Sequence, residues 1–167
     1  MPQRLALADF RVTTPNLIKA DELLKEAKRF LKRAGDQLLS DHAESVARSS
    51  RTIELSAKAL LTLAGFTFPM RHDVGVGLAH VWRSLHGEDL EKVQLAKRHI
   101  ARVGWLCDVV ERLQSISEYG YAEKRASLVV NQTDAFVFYE YGRESLDIAC
   151  RVYRGVKNGI FKVKHPG

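Results

Sequence analysis

Arg51, Glu54 and Lys58 are the residues of this chain best spaced to act together. On a helix, side chains three and four apart share one face. A guanidinium would then sit one turn before the carboxylate and an ammonium one turn after it. Exposed to water, the Glu54–Lys58 pair would contribute only about 0.2–0.5 kcal/mol. The cluster borders an apolar stripe, so it is either a partly buried ionic network or a surface for a polar ligand. His72-Asp73 follows shortly after it in sequence. Asp73 could cap the next helix while His72 bonds locally. Alternatively His72 could lie near Glu54 or Lys58 at one end of a bundle and line a small polar pocket.

Other chemistry has little to build on. His42, His72, His80, His86 and His99 show no metal-ligand spacing of the H-E-x-x-H kind, so no metal is expected. Gly75-Val76-Gly77 lacks the third glycine and the preceding strand of a phosphate-cradling loop. Ser45, Ser49 and Ser50 have no nucleophile-elbow context. Cys107 and Cys150 are far apart and read as two buried thiols on helix faces. No cofactor is implied.

With 167 residues, 46% hydrophobic and 28% charged, the chain suits one globular core and is too short for two comfortable domains. Net charge is +6 and the pI is near 9.4. Such a balance fits contact with RNA or an acidic protein, and equally fits a need for solubility alone. The cations form two groups: Lys25, Lys28, Arg29, Lys32 and Arg33, then Arg151, Arg154, Lys157, Lys162 and Lys164. The first alternates with apolar positions and reads as a solvated helix face. No apolar run approaches the roughly 20 residues of a membrane helix, and the opening MPQRLALADF lacks a signal-peptide core. A cytoplasmic protein is expected.

The periodicity predicts an all-α, up-and-down bundle of four long helices and one short one. Residues 1–14 would be an N-terminal arm, 15–157 the core and 158–167 a short basic tail of a single domain. Thr14-Pro15 starts the first helix, whose stripe is Leu17, Ala20, Leu24, Ala27, Leu31 and Ala34, with Gly35 and Asp36 ending it. The second starts near Ser40-Asp41, with Asp41 and Glu44 at capping-box spacing, and points Ala43, Val46, Ser50, Ile53, Ala57, Leu60 and Ala64 inward. Gly65 is placed to end it in the left-handed conformation. A short helix spans Val74 to Leu85, closed by Gly87. The longest runs from about Glu88 to Ser117, carrying Val93, Ala96, Ile100, Val103, Cys107, Val110 and Leu113. Trp105, Leu106 and Val109 widen its apolar surface beyond one stripe, which predicts a homodimer. A loop covers Glu118 to Gln132, and the fifth helix opens at Thr133-Asp134.

Residues 48–75 read RSSRTIELSAKALLTLAGFTFPMRHDVG. The order Glu54, Lys58-Ala59-Leu60-Leu61, Gly65, His72-Asp73 and later Tyr119-Gly120 resembles the HEPN family, small all-helical domains of prokaryotes and some eukaryotes. The resemblance covers roughly residues 15–157 and agrees with the bundle read from periodicity. It implies nucleotide binding, here carried by Arg51, Glu54, Lys58, His72 and Asp73. It also implies a minimal nucleotidyltransferase as partner in a toxin–antitoxin-like pair. Many HEPN proteins are metal-independent ribonucleases that place R-x(4–6)-H on a late helix. No arginine of this chain has a histidine at that distance: Cys107 stands where Arg102 would need one, and Ser117 and Glu118 where Arg112 would. The expectation is therefore a non-catalytic interaction or nucleotide-binding domain. The runner-up is a divergent ribonuclease toxin contacting RNA through His99, Arg102 and Arg112. A third reading is a basic helical RNA-binding or scaffolding protein.

Overall fold

In the computed structural model, residues 14–66, 74–119 and 129–163 are described, with side chains for all of these except 14, 15, 76 and 112–119. They form α1 (Thr14–Gln37), α2 (His42–Leu63), α3 (Val74–Ser84), β1 (Leu85–His86), α4 (Leu90–Tyr119), α5 (Gln132–Lys157) and β2 (Lys162–Val163). The fold is the expected all-α bundle of four long helices and a short one, with one small strand ladder added. No described helix is long and apolar enough to cross a membrane.

The bundle is organised around α2, which buries 15 of its 22 residues. Such a helix is covered on more than one side, so its face exceeds a single stripe. The predicted inward positions are all buried, and so are Ser45, Ser49, Thr52, Ser56 and Thr62. A buried hydroxyl is tolerated when it finds an acceptor. Ser50 and Ser56 donate to the carbonyls of Val46 and Thr52, at 2.8 and 2.7 Å. Ser45 donates to Ala34 of α1 at 2.7 Å. One apolar cluster joins α1, α2, α3, α4 and α5 through residues such as Leu24, Leu60, Leu78, Ile100 and Ile148. A second gathers Val46, Ile53, Leu106, Val110 and Phe138.

The helix ends show which local signals decided. α1 does not stop at Gly35 and Asp36 but runs to Gln37. Gly35 serves close packing, because a Cβ there would lie 3.3 Å from the Tyr139 ring. Asp41 caps α2 as predicted, accepting the Glu44 N–H at 3.0 Å. The other half of the box is replaced: the Asp41 N–H donates to Gln37 and the Glu44 carboxylate accepts from Arg48 at 2.6 Å. α5 opens at Gln132, one residue before the predicted Thr133, because Asn131 and Asp134 form a full reciprocal capping box. Gly65 and Gly159, at φ 78° and 75°, both end helices with paired 6→1 and 5→2 hydrogen bonds. α4 is shifted two residues from the prediction, with Asp89 capping it through the Lys92 N–H.

The segment read as a basic tail is docked as far as Val163. Leu85 pairs antiparallel with Val163, and His86 with Lys162. Both apolar partners are buried. Leu85 accordingly leaves α3, which ends at Ser84. The Phe161 ring fills the space where Gly155 has no Cβ. Residues 1–13, 67–73, 120–128 and 164–167 lie outside the described residues, and with them all of the proposed arm but Thr14, which opens α1, and the end of the tail.

Candidate functional site

On α2 the predicted charged cluster forms. The Glu54 carboxylate accepts from Arg51 Nη1 at 2.8 Å through one oxygen and from Lys58 Nζ through the other. All three are partly buried. Burial pushes the Glu54 carboxyl upward, but hydrogen bonds from Lys58 and Arg51, reinforced by their charges, hold it below the ordinary carboxylate value. The site is thus a carboxylate clamped between two cations, one turn on each side. Across from it, α4 presents Cys107. Burial, then the charges of Asp108, Glu54 and Glu111, push that thiol up to about 12. His72 and Asp73, the other predicted members of the site, lie outside the described residues.

The second predicted group is dispersed differently. Arg102 projects from α4 onto α5, where Nε and Nη2 donate to the two Glu144 oxygens at 2.9 and 3.3 Å. Its guanidinium lies 4.7 Å from the Trp105 ring centroid and 5.7 Å from that of Tyr141. These two rings meet edge to face at 6.4 Å. Bidentate pairing and stacking both suit the planar guanidinium. The Glu144 hydrogen bond raises the Arg102 pKa further, so the group stays a cation. His99, one turn earlier on α4, is half-buried and makes no hydrogen bond with Arg102. The Arg112 side chain lies outside the described residues.

Glu144 and Tyr141 were not singled out from sequence. Their i, i+3 spacing on α5 hinted at a shared face, but Glu144 lies 42 residues from Arg102. A cleft of about 590 Å3 opens elsewhere, where the strand ladder meets the ends of α4 and α5, lined by His86, Glu88, Asp89, Asn158 and Lys162 among others. None of the predicted site residues lines it. Among the described residues, no three His, Cys, Asp or Glu side chains converge as metal ligands would.

Chemically, the α2 cluster presents fixed charges of both signs at a partly water-accessible surface. The α4–α5 cluster presents an aromatic surface around an arginine that directs two of its five N–H donors to Glu144. No curated protein and no solved structure matches the chain significantly. The family model described as the HEPN domain matches residues 20–158, nearly all of the bundle, and the chain therefore belongs to the HEPN family.

Proposed function

We propose that this chain is a non-catalytic HEPN domain. It binds a nucleotide or RNA at the Arg51–Glu54–Lys58 cluster of α2, together with His72 and Asp73. It acts in the cytoplasm as a single-domain homodimer and partners a minimal nucleotidyltransferase in a toxin–antitoxin-like pair. Membership of the family supports a nucleotide- or RNA-related role in general. The observation that carries the non-catalytic part is the state of Arg102. General acid–base cleavage of RNA needs a proton-transferring group within hydrogen-bond reach of the reacting oxygen, next to a cation free to meet phosphate. Here no histidine follows Arg102 at the family spacing, and two of the guanidinium N–H groups already point to Glu144.

The test is incubation of the purified protein with labelled single-stranded RNA in EDTA, beside the His99→Ala and Arg102→Ala variants. No cleavage is expected from any of the three. Cleavage by the wild type that survives EDTA and vanishes in either variant would establish the divergent ribonuclease instead. Nucleotide and RNA binding is then measured by titration against Glu54→Gln and Lys58→Ala. Weakened binding of either ligand in these variants supports the α2 site. Unchanged binding moves the ligand elsewhere and favours a general basic RNA-binding surface.

A further inference from the structure

The core stripe of α4 faces the bundle through Val93, Ala96, Ile100, Val103 and Val110. On the opposite side, Gln94, Arg98, Ala101, Trp105 and Asp108 are all exposed. Their spacing alternates four and three, and Arg112 occupies the next position of the same row along the helix. An alternation of four and three is the spacing of a helix–helix seam. Trp105, half exposed, stands at its centre.

The row has an internal symmetry. Taken about Val103, Ala101 mirrors Trp105, Arg98 mirrors Asp108 and Gln94 mirrors Arg112. A two-fold contact between identical helices juxtaposes such mirrored positions. Run antiparallel against itself, α4 would place the smallest seam residue, Ala101, opposite the largest, Trp105, and the Arg98 cation opposite the Asp108 carboxylate, each twice. Run parallel, it would set Arg98 against Arg98 and Asp108 against Asp108, which like-charge repulsion opposes. Neither Arg98 nor Asp108 has an ion-pair partner among the described residues. Trp105 is already oriented by the Arg102 guanidinium and the Tyr141 edge, so docking it loses little side-chain freedom. A groove of about 320 Å3, lined by Leu90, Glu91, Gln94, Leu95 and Arg98, continues the same face toward the start of α4.

We infer that the outward face of α4 is a docking surface for a second copy of this chain, packed antiparallel about a two-fold axis at Val103. The inference rests on the homodimer part of the proposed function and gives it a face and a register. It also assigns the Arg102–Glu144 pair a role: holding the Trp105 anchor in place.

Charge reversal tests both face and register, read by light scattering with circular dichroism as the folding control. The wild type should have twice the 18.9 kDa chain mass. Arg98→Asp and Asp108→Arg should each raise the dimer dissociation constant at least about tenfold. Mixing the two variants should restore the dimer as a heterodimer. A wild-type monomer at micromolar concentration overturns this inference and the homodimer reading together. A wild-type dimer that Arg98→Asp and Trp105→Ala both leave intact overturns the seam alone, and the homodimer then uses another face. Dissociation by the single variants without recovery on mixing overturns the antiparallel register. Asp108 also packs against Gly75 at the start of α3, where a Cβ would lie 2.8 Å from its Oδ1. Should Asp108→Arg lose its helical signal, Ala101→Glu and Trp105→Ala decide: dissociation supports the seam, and an intact dimer overturns it.

Discussion

Glu54 and Glu144 both hold arginines, and they do so in opposite ways. Glu54 is served by neighbours on its own helix, Arg51 one turn before and Lys58 one turn after. Glu144 takes its arginine from another helix, and the pair is roofed by Trp105 and Tyr141. The first cluster exists as soon as α2 forms. The second exists only once α4 and α5 have docked. A local cluster can serve a ligand without holding the fold together, whereas a cross-helix pair reports on tertiary packing and on the surface built around it.

The largest effect that would sharpen this contrast is chemical. Cys107 lies on α4, within the field of Glu54, and its thiol rises from an ordinary 9.0 to about 12. Its thiolate population near pH 8 should fall about a thousandfold against a free cysteine. Burial raises Cys150 as well, with the Lys28 and Arg154 charges opposing it. Alkylation followed by peptide mapping should therefore label Cys150 first and Cys107 only on unfolding. Equal labelling rates in the folded protein would show that the α2–α4 contact is open.

Next in size is Ile53→Ala. Ile53 is fully buried beside Glu54 in sequence and shares a cluster with Leu106 of α4. Removing three carbons there should cost about 2–5 kcal/mol in urea unfolding. A loss under half that range would mean the cluster collapses to fill the space.

Glu54→Gln should cost less, about 1–2 kcal/mol at neutral pH, since it removes the negative charge between two half-buried cations that water still reaches in part. Its pH dependence has a definite sign. The folded pKa of Glu54 is lower than its unfolded value, near 4.5. The unfolded chain therefore takes up the proton first as pH falls. The stabilisation is present in full above about 4.5 and disappears as pH drops through the lower folded value. Denaturation midpoints of wild type and Glu54→Gln should converge on acidification. A gap that stays constant into acid would assign the effect to packing instead.

The smallest change is expected from Arg102→Ala, below about 1 kcal/mol, because more than a third of each partner's side chain remains in water. A double-mutant cycle with Glu144→Ala isolates the pair from the aromatic contacts. A coupling well above that bound would mark the pair as a main clasp between α4 and α5.

Much of the bundle was legible from residue order, because its determinants are short-ranged. The stripe from Leu17 to Ala34, the Asp41 cap, the Gly65 stop and the Arg51–Glu54–Lys58 spacing each depend on atoms within about one helical turn. The run from Glu54 to Asp73 also pointed to the family that the match over residues 20–158 establishes. Signals that failed did so where packing overrode them. Gly35 reads as a stop, yet the Tyr139 ring needs that space and the helix continues. Leu106 reads as surplus apolar surface, yet it is completely buried beside Ile53, leaving Trp105 as the exposed aromatic of that group.

The sequence by itself determined where helices form, how most of them end and which charges meet along one helix, since the 3.6-residue period and local hydrogen bonds settle those matters. Only the tertiary structure decided that Arg102 is bound by Glu144, that Val163 returns to pair with Leu85, and that Ser45, Ser49 and Ser56 of α2 are buried beside the predicted Ser50. Each of these depends on which helix faces which. That choice is made by the summed burial of many side chains distant in sequence, and no single spacing encodes it.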